Sequence, residues 1–222
     1  MAVYNKKPRC GADLRSACRV QQPRQAVPQT FHHTLLMPST PPVPPSLATA
    51  VLQRQLFPQT PEHAKLLRLL LAQDGSATRL CEALAGKPIS VLLQYQHRTS
   101  DVPAAIRSGL GGTAWLERIT TLHTGGVVLM DNLSYTRLDA VPDWFLAELD
   151  AGKAPIGYLL DRLCIQREDL RLDDEIAGRL WPHVGLPDPR ATKLYRILTP
   201  DGPLMWVFET FRAGWVQWDT AQ

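Results

Sequence analysis

Four stretches in the second half of the chain alternate apolar and polar residues with the two-residue period of strands. They are "TAWLERITTLH", "VVLMDNLSYTRL", "TKLYRILTP" and "PLMWVFETF". The first two are joined by Gly125-Gly126 and the last two by "DG", so each pair reads as a hairpin. A further β region begins near Ile89 in "ISVLLQYQHRT". The helical period appears earlier. Apolar residues at 66, 67, 69, 70 and 71 predict a helix from about Pro61 to Leu71. "AQDGSATRLCEAL" then gives a break at Gly75 and a short helix to about Leu84, with Ser76 or Thr78 as its N-cap. "VPDWFLAELDAG" places a proline before a helix and a glycine after it. "PIGYLLDRLCIQREDLRL" reads as a helical turn leading into a strand, and "GLGG" at 109–112 as a loop. Helices, strands, a helix and strands again, with no internal repeat, predict an α+β fold. The expected architecture is a single domain with an antiparallel sheet of about six strands. Helices pack over one face, and a ligand lies between the two layers.

Composition and charge narrow the class. At 45% hydrophobic and 20% charged over 222 residues, the chain suits a globular domain with a sizeable core. Its formal charge of +3 is unevenly spread. Residues 1–45 hold six cations against Asp13, a balance of +5, which leaves −2 for the rest. This first segment contains "MPSTPPVPPS" and reads as a basic, proline-rich, disordered arm before a domain at 46–218. Its Arg-rich, acid-poor half bears a weak likeness to an organelle-targeting segment. The mildly acidic remainder predicts no nucleic-acid partner. No apolar run approaches the roughly 18–20 residues a spanning helix needs, so no membrane span is expected and a cytoplasmic location is. Cys10, Cys18, Cys81 and Cys164 show no metal-binding spacing and read as reduced thiols.

The chemistry lies in charges on apolar strand faces. Glu209 alternates with Met205, Val207 and Phe211, while Leu204, Trp206 and Phe208 make the opposite face apolar too. Arg118 shares a face with Leu116, Thr120 and Leu122, and Arg196 with Leu194 and Leu198. A charge buried alone costs several kcal/mol, so each needs a partner or a ligand. One reading is an internal Arg–Glu pair. The other uses the excess arginine for an anionic ligand, which its planar fork suits. Asp161, Arg162, Arg167, Glu168 and Asp169 read as a solvated face, and the tryptophans as core.

Four segments, "LLLAQDGSATRLCEAL", "WLERITTL" with "LMDNLSYTRLDAVP", "KAPIGYLL" and "KLYRILTPDGPLMWVFETF", follow one another over about residues 62–212. In this order they resemble the chorismate lyase family. The resemblance implies elimination of pyruvate from chorismate to give 4-hydroxybenzoate for quinone or other phenolic biosynthesis, with no metal or redox cofactor. It implies that Arg118 holds the aromatic carboxylate and that Glu209 lies near the ring hydroxyl, the two catalytic candidates. Ile156 would contact the ligand, and Arg196 occupies a recurrent basic position. Ala77 stands where the family usually has Met or Leu. Two other readings share the fold: a non-catalytic, effector-sensing domain for a small aromatic acid, and a lyase for a chorismate-like acid. In winged-helix repressors a DNA-binding domain precedes such a sensing domain, and residues 1–60 here show no helix-turn-helix pattern.

Overall fold

The two glycine-marked turns set the sheet. In the computed structural model, which describes residues 52–216, Gly125 and Gly126 take φ of 56° and 84° and join β2 (Trp115–Thr124) to β3 (Val127–Arg137). Positive φ at both positions is what a tight hairpin with matching twist requires. The second hairpin joins β5 (Thr192–Thr199) to β6 (Gly202–Phe211). β1 (Ser90–Thr99) and the short β4 (Gln166–Leu170) close the two edges. All six strands pair antiparallel in the order β1-β2-β3-β6-β5-β4, so the two hairpins meet at β3 and β6. The fold is α+β and the described residues fall in one compact unit. The basic arm expected at 1–45, with Cys10 and Cys18, lies outside the described residues.

Helices cover both faces of the sheet, not one. The expected set comprises α1 (Pro61–Ala72), α2 (Ala77–Ala85), α4 (Asp143–Ala151) and α5 (Ile156–Leu160). Phe145 and Leu149 of α4 and Leu159 and Leu160 of α5 pack on Leu116, Tyr195, Ile197, Met205 and Val207. The opposite face is covered by α3 (Ala104–Leu110) and α6 (Asp174–Val184). There Ile106, Leu110, Ile176, Leu180 and Val184 meet Trp115, Ile119, Leu133, Trp206 and Phe208. The physical reason is the two-sided apolar pattern of β6. A sheet with both faces apolar must be covered twice.

One buried carboxylate ties three distant segments together. Asp131 of β3 is fully buried and receives Arg212 Nε at 2.7 Å, Arg54 Nε at 2.9 Å and Nη2 at 3.0 Å, and the Thr121 hydroxyl at 2.6 Å. Arg54 arrives on a strap that precedes α1. Gln53 bridges Val127 in parallel, Ala213 N donates to Gln55 O at 3.1 Å, and Phe57 N donates to Asp188 Oδ2 at 3.2 Å. Removing one member of a buried ion network strands the others. Asp131→Ala is therefore expected to cost about 3–5 kcal/mol in urea unfolding. Arg98→Ala, which breaks an exposed pair with Asp150, is expected to cost under about 1 kcal/mol.

Candidate functional site

Strand register lines up a row of polar side chains across the sheet face beneath α2 and α5. Thr120 lies opposite Asn132, Asn132 opposite Glu209, and Glu209 opposite Lys193. Directly opposed residues of an antiparallel pair point to the same side. The next row is Arg118, Ser134, Val207 and Tyr195. A cavity opens above these rows. Its floor includes Thr120, Asn132, Ser134, Tyr195, Val207 and Glu209, and its roof Ser76, Ala77 and Thr78 of α2 with Ile156, Gly157 and Leu160 of α5. Leu122 and Met130 close one end, and Arg167 of β4 reaches in at the side. About 40 Å³ of it is open to water, enough for roughly three molecules.

The roof fits closely because α5 carries no side chain where it crosses α2. A Cβ on Gly157 would stand 2.7 Å from Thr78 Oγ1 and 2.8 Å from Ser76 Oγ. Ser76 also caps α2 by accepting from Arg79 N. One residue thus starts the helix and lines the cavity.

Glu209 is 5% exposed, and Tyr195 donates to its Oε1 at 2.8 Å. Its Oε2 makes no hydrogen bond, with Lys193 Nζ at 3.8 Å, and that ammonium donates instead to Gln73 O at 3.0 Å. Burial pushes the Tyr195 hydroxyl well above its ordinary range, and the Glu209 charge adds to this, so the phenol stays a donor. The Asn132 side-chain oxygen beside Glu209 also has no partner. Arg167 donates from Nη1 to Asp74 O at 3.0 Å and leaves Nε without one. The cavity therefore combines apolar walls with a carboxylate oxygen and an amide oxygen that are free to accept.

Arg118 lies one row along from Thr120, under the C-terminal turn of α4. It is 1% exposed, and its Nη1 donates to Leu149 O at 3.0 Å. Nε and Nη2 have no hydrogen-bond partner, and no carboxylate lies within ion-pair distance among the described residues. Burial lowers its pKa to about 10, with Asp150 pulling weakly the other way, so it stays charged at neutral pH.

The structure brings Ala77, Ile156 and Glu209 into the cavity and sets Arg118 beside it. Arg196 is not brought there. It points to the α3/α6 side of the sheet, where it pairs with Glu168 at 2.7 Å and donates to Gly109 O at 3.2 Å. Alternation along β5 explains this: its neighbours Tyr195 and Ile197 take the cavity side. The reading of residues 161–169 as a solvated face is corrected at Arg167, which lines the cavity opposite a β5 position that the pairing alone reveals. Tyr195 was also absent from the expected site. Its one signal was that it alternates with Arg196.

No protein-family model matches the sequence, and no curated protein matches it. Solved structures do resemble it. PhnF from Mycobacterium smegmatis is 15% identical with a TM-score of 0.42, over 74% of this chain and 90% of that one. The PhnF effector domain is 16% identical with a TM-score of 0.40, over 62% and 88%. The ligand-binding domain of a GntR-family transcriptional regulator from Bordetella bronchiseptica is 17% identical with a TM-score of 0.35, over 55% and 85%. The expectation of a carbon–oxygen lyase serving quinone biosynthesis is corrected by these neighbours. One is named as the ligand-binding domain of a transcriptional regulator and one as an effector domain, and none of the three is named as a lyase. The exclusion of a nucleic-acid partner is withdrawn with it. Among the described residues no helix is long and apolar enough to cross a membrane, and no group of three His, Cys, Asp or Glu could hold a metal.

A buried cation without a counter-charge serves stability poorly, and an apolar side chain of similar size often does better. Arg118→Met is expected to leave the unfolding free energy unchanged or raised by about 1 kcal/mol in denaturant titration. A loss above about 2 kcal/mol would mark Arg118 as a structural residue.

Proposed function

We propose that this domain is a non-catalytic binding module for a small aromatic acid that carries a hydrogen-bond donor on its ring. One observation carries the reading: the buried Arg118 guanidinium, with Nη1 engaged by Leu149 O and both Nε and Nη2 free. Those two N–H groups form one edge of the guanidinium, the edge that accepts a carboxylate with two parallel hydrogen bonds. In this reading the acid group of the ligand docks on that edge. Its ring lies along Leu122, Ile156, Leu160 and Val207, and its donor reaches Glu209 Oε2 or the Asn132 oxygen. Apolar walls with a few convergent polar groups are the usual make-up of a small-molecule site. The cavity is too small for a ring as it stands, so binding shifts α2 and α5 outward together, with the contacts between the two helices kept.

Calorimetric titration with 4-hydroxybenzoate tests this. Wild-type protein is expected to bind, and Arg118→Met to weaken binding by about 2 kcal/mol or more, roughly 30-fold. Benzyl alcohol, which has no carboxylate, is expected to show no such difference. Equal affinity of 4-hydroxybenzoate for both proteins, or no binding to the wild type, would overturn the proposal.

A further inference from the structure

The cavity roof is fastened from outside by side chains that touch neither the floor nor the cavity. On α2, Arg79 and Glu82 lie three residues apart and so share one helix face. On α5 and just past its end, Tyr158 and Asp161 are spaced in the same way. Across the gap the Tyr158 hydroxyl donates to Glu82 Oε1, and Arg79 Nε donates to Asp161 Oδ2. The Arg79 guanidinium also lies 5.8 Å from the centre of the Tyr158 ring. Burial, then the bond to Glu82, pushes the Tyr158 hydroxyl up to about 12, so it remains a donor at neutral pH. None of these four side chains lines the cavity.

We infer that these two cross-helix pairs form a clasp, one that sets how fast a ligand enters and leaves the cavity and does not set how tightly it is held. The inference rests on the binding reading above and adds regulation of the same site. The roof residues Ala77, Thr78, Ile156 and Gly157 belong to the two elements that the clasp joins. The contact beneath it, Gly157 against Ser76 and Thr78, offers little apolar surface to hold the helices together once the clasp parts. Because the space under the roof is narrower than a ring, exchange of an aromatic ligand proceeds through a minor state in which the roof is raised. The clasp is present whether or not the cavity is filled, because its atoms do not meet the ligand. Weakening it destabilises the free and the bound closed states equally. The open fraction rises, and association and dissociation accelerate by the same factor while Kd stays put.

Two measurements on the full chain test this, with Tyr158→Phe, Asp161→Asn and the double variant. The first needs no ligand. Cys81 is a buried thiol on α2, and its alkylation by iodoacetamide, followed peptide by peptide, reports lifting of that helix. Labelling is expected to speed up about tenfold in Tyr158→Phe and further in the double variant, with Cys164 as the internal control. The second is stopped-flow binding of 4-hydroxybenzoate, where both rate constants are expected to rise together and Kd to stay within about twofold. Unchanged Cys81 labelling would overturn the clasp. So would a rise in the dissociation rate alone, since that would mean the side chains hold the ligand directly. If 4-hydroxybenzoate does not bind, the binding reading fails and the labelling result still decides whether the clasp gates the roof.

Discussion

Charge that is removed from water must be matched by charge or by hydrogen bonds, and this constraint organises the sheet. Asp131 meets it in full, drawing Arg54 from the strap and Arg212 from beyond β6 onto one carboxylate. Arg196 meets it by reaching Glu168 at the edge of the sheet. Glu209 meets it in part, with one oxygen hydrogen-bonded to Tyr195 and the other held only by the Lys193 ammonium at 3.8 Å, without a hydrogen bond. Arg118 meets it least, with one carbonyl for a whole guanidinium. Of the first two, the buried Asp131 network ties distant segments together, and the partly exposed Arg196–Glu168 pair contributes little. The two undercompensated ones stand in adjacent register rows, next to the cavity.

That adjacency follows from topology. The two hairpins meet at β3 and β6, so residues far apart in sequence fall into cross-strand rows at the centre of the sheet, where both faces are covered. The central rows are buried, and a hydrogen bond or ion pair formed there is worth more than at the surface. Placing a guanidinium edge and a carboxylate oxygen without hydrogen-bond partners in that environment costs stability. The α2 and α5 helices roof the site, and the side chains that pair across them lie on its outer side.

The hairpins were legible because their turns need positive φ, and Gly125-Gly126 announces it in the sequence. Glu209 and Arg118 were legible because a charge within an apolar alternation is a local contradiction that needs no partner strand to be noticed. Helices α3 and α6 were not foreseen. The Ile176, Leu180 and Val184 spacing of α6 was present, but Gly178 and Pro182 interrupt it. Arg196 and Arg167 were misplaced for a different reason. Facing on β4 and β5 depends on which residue pairs with which, and no local pattern fixes that when charged residues occupy both faces of a short edge strand. Chemistry inferred from resemblance fared worse than placement. Ala77, Ile156 and Glu209 reached the cavity, with Arg118 beside it and Arg196 on the other face, but the lyase assignment found no counterpart among the solved structures.

The most direct test of the central claim is to watch the Arg118 guanidinium itself. In a nitrogen-15 spectrum of arginine side chains, its Nε–H resonance is identified by its disappearance in Arg118→Met. A buried, unpartnered Nε–H is expected to give a resolved signal, and saturating 4-hydroxybenzoate to shift it strongly as the carboxylate docks. Benzyl alcohol should leave it in place. An Arg118 signal unmoved by the acid, while the amides of Ile156 and Glu209 shift, would show that the ligand ignores this cation and would contradict the account.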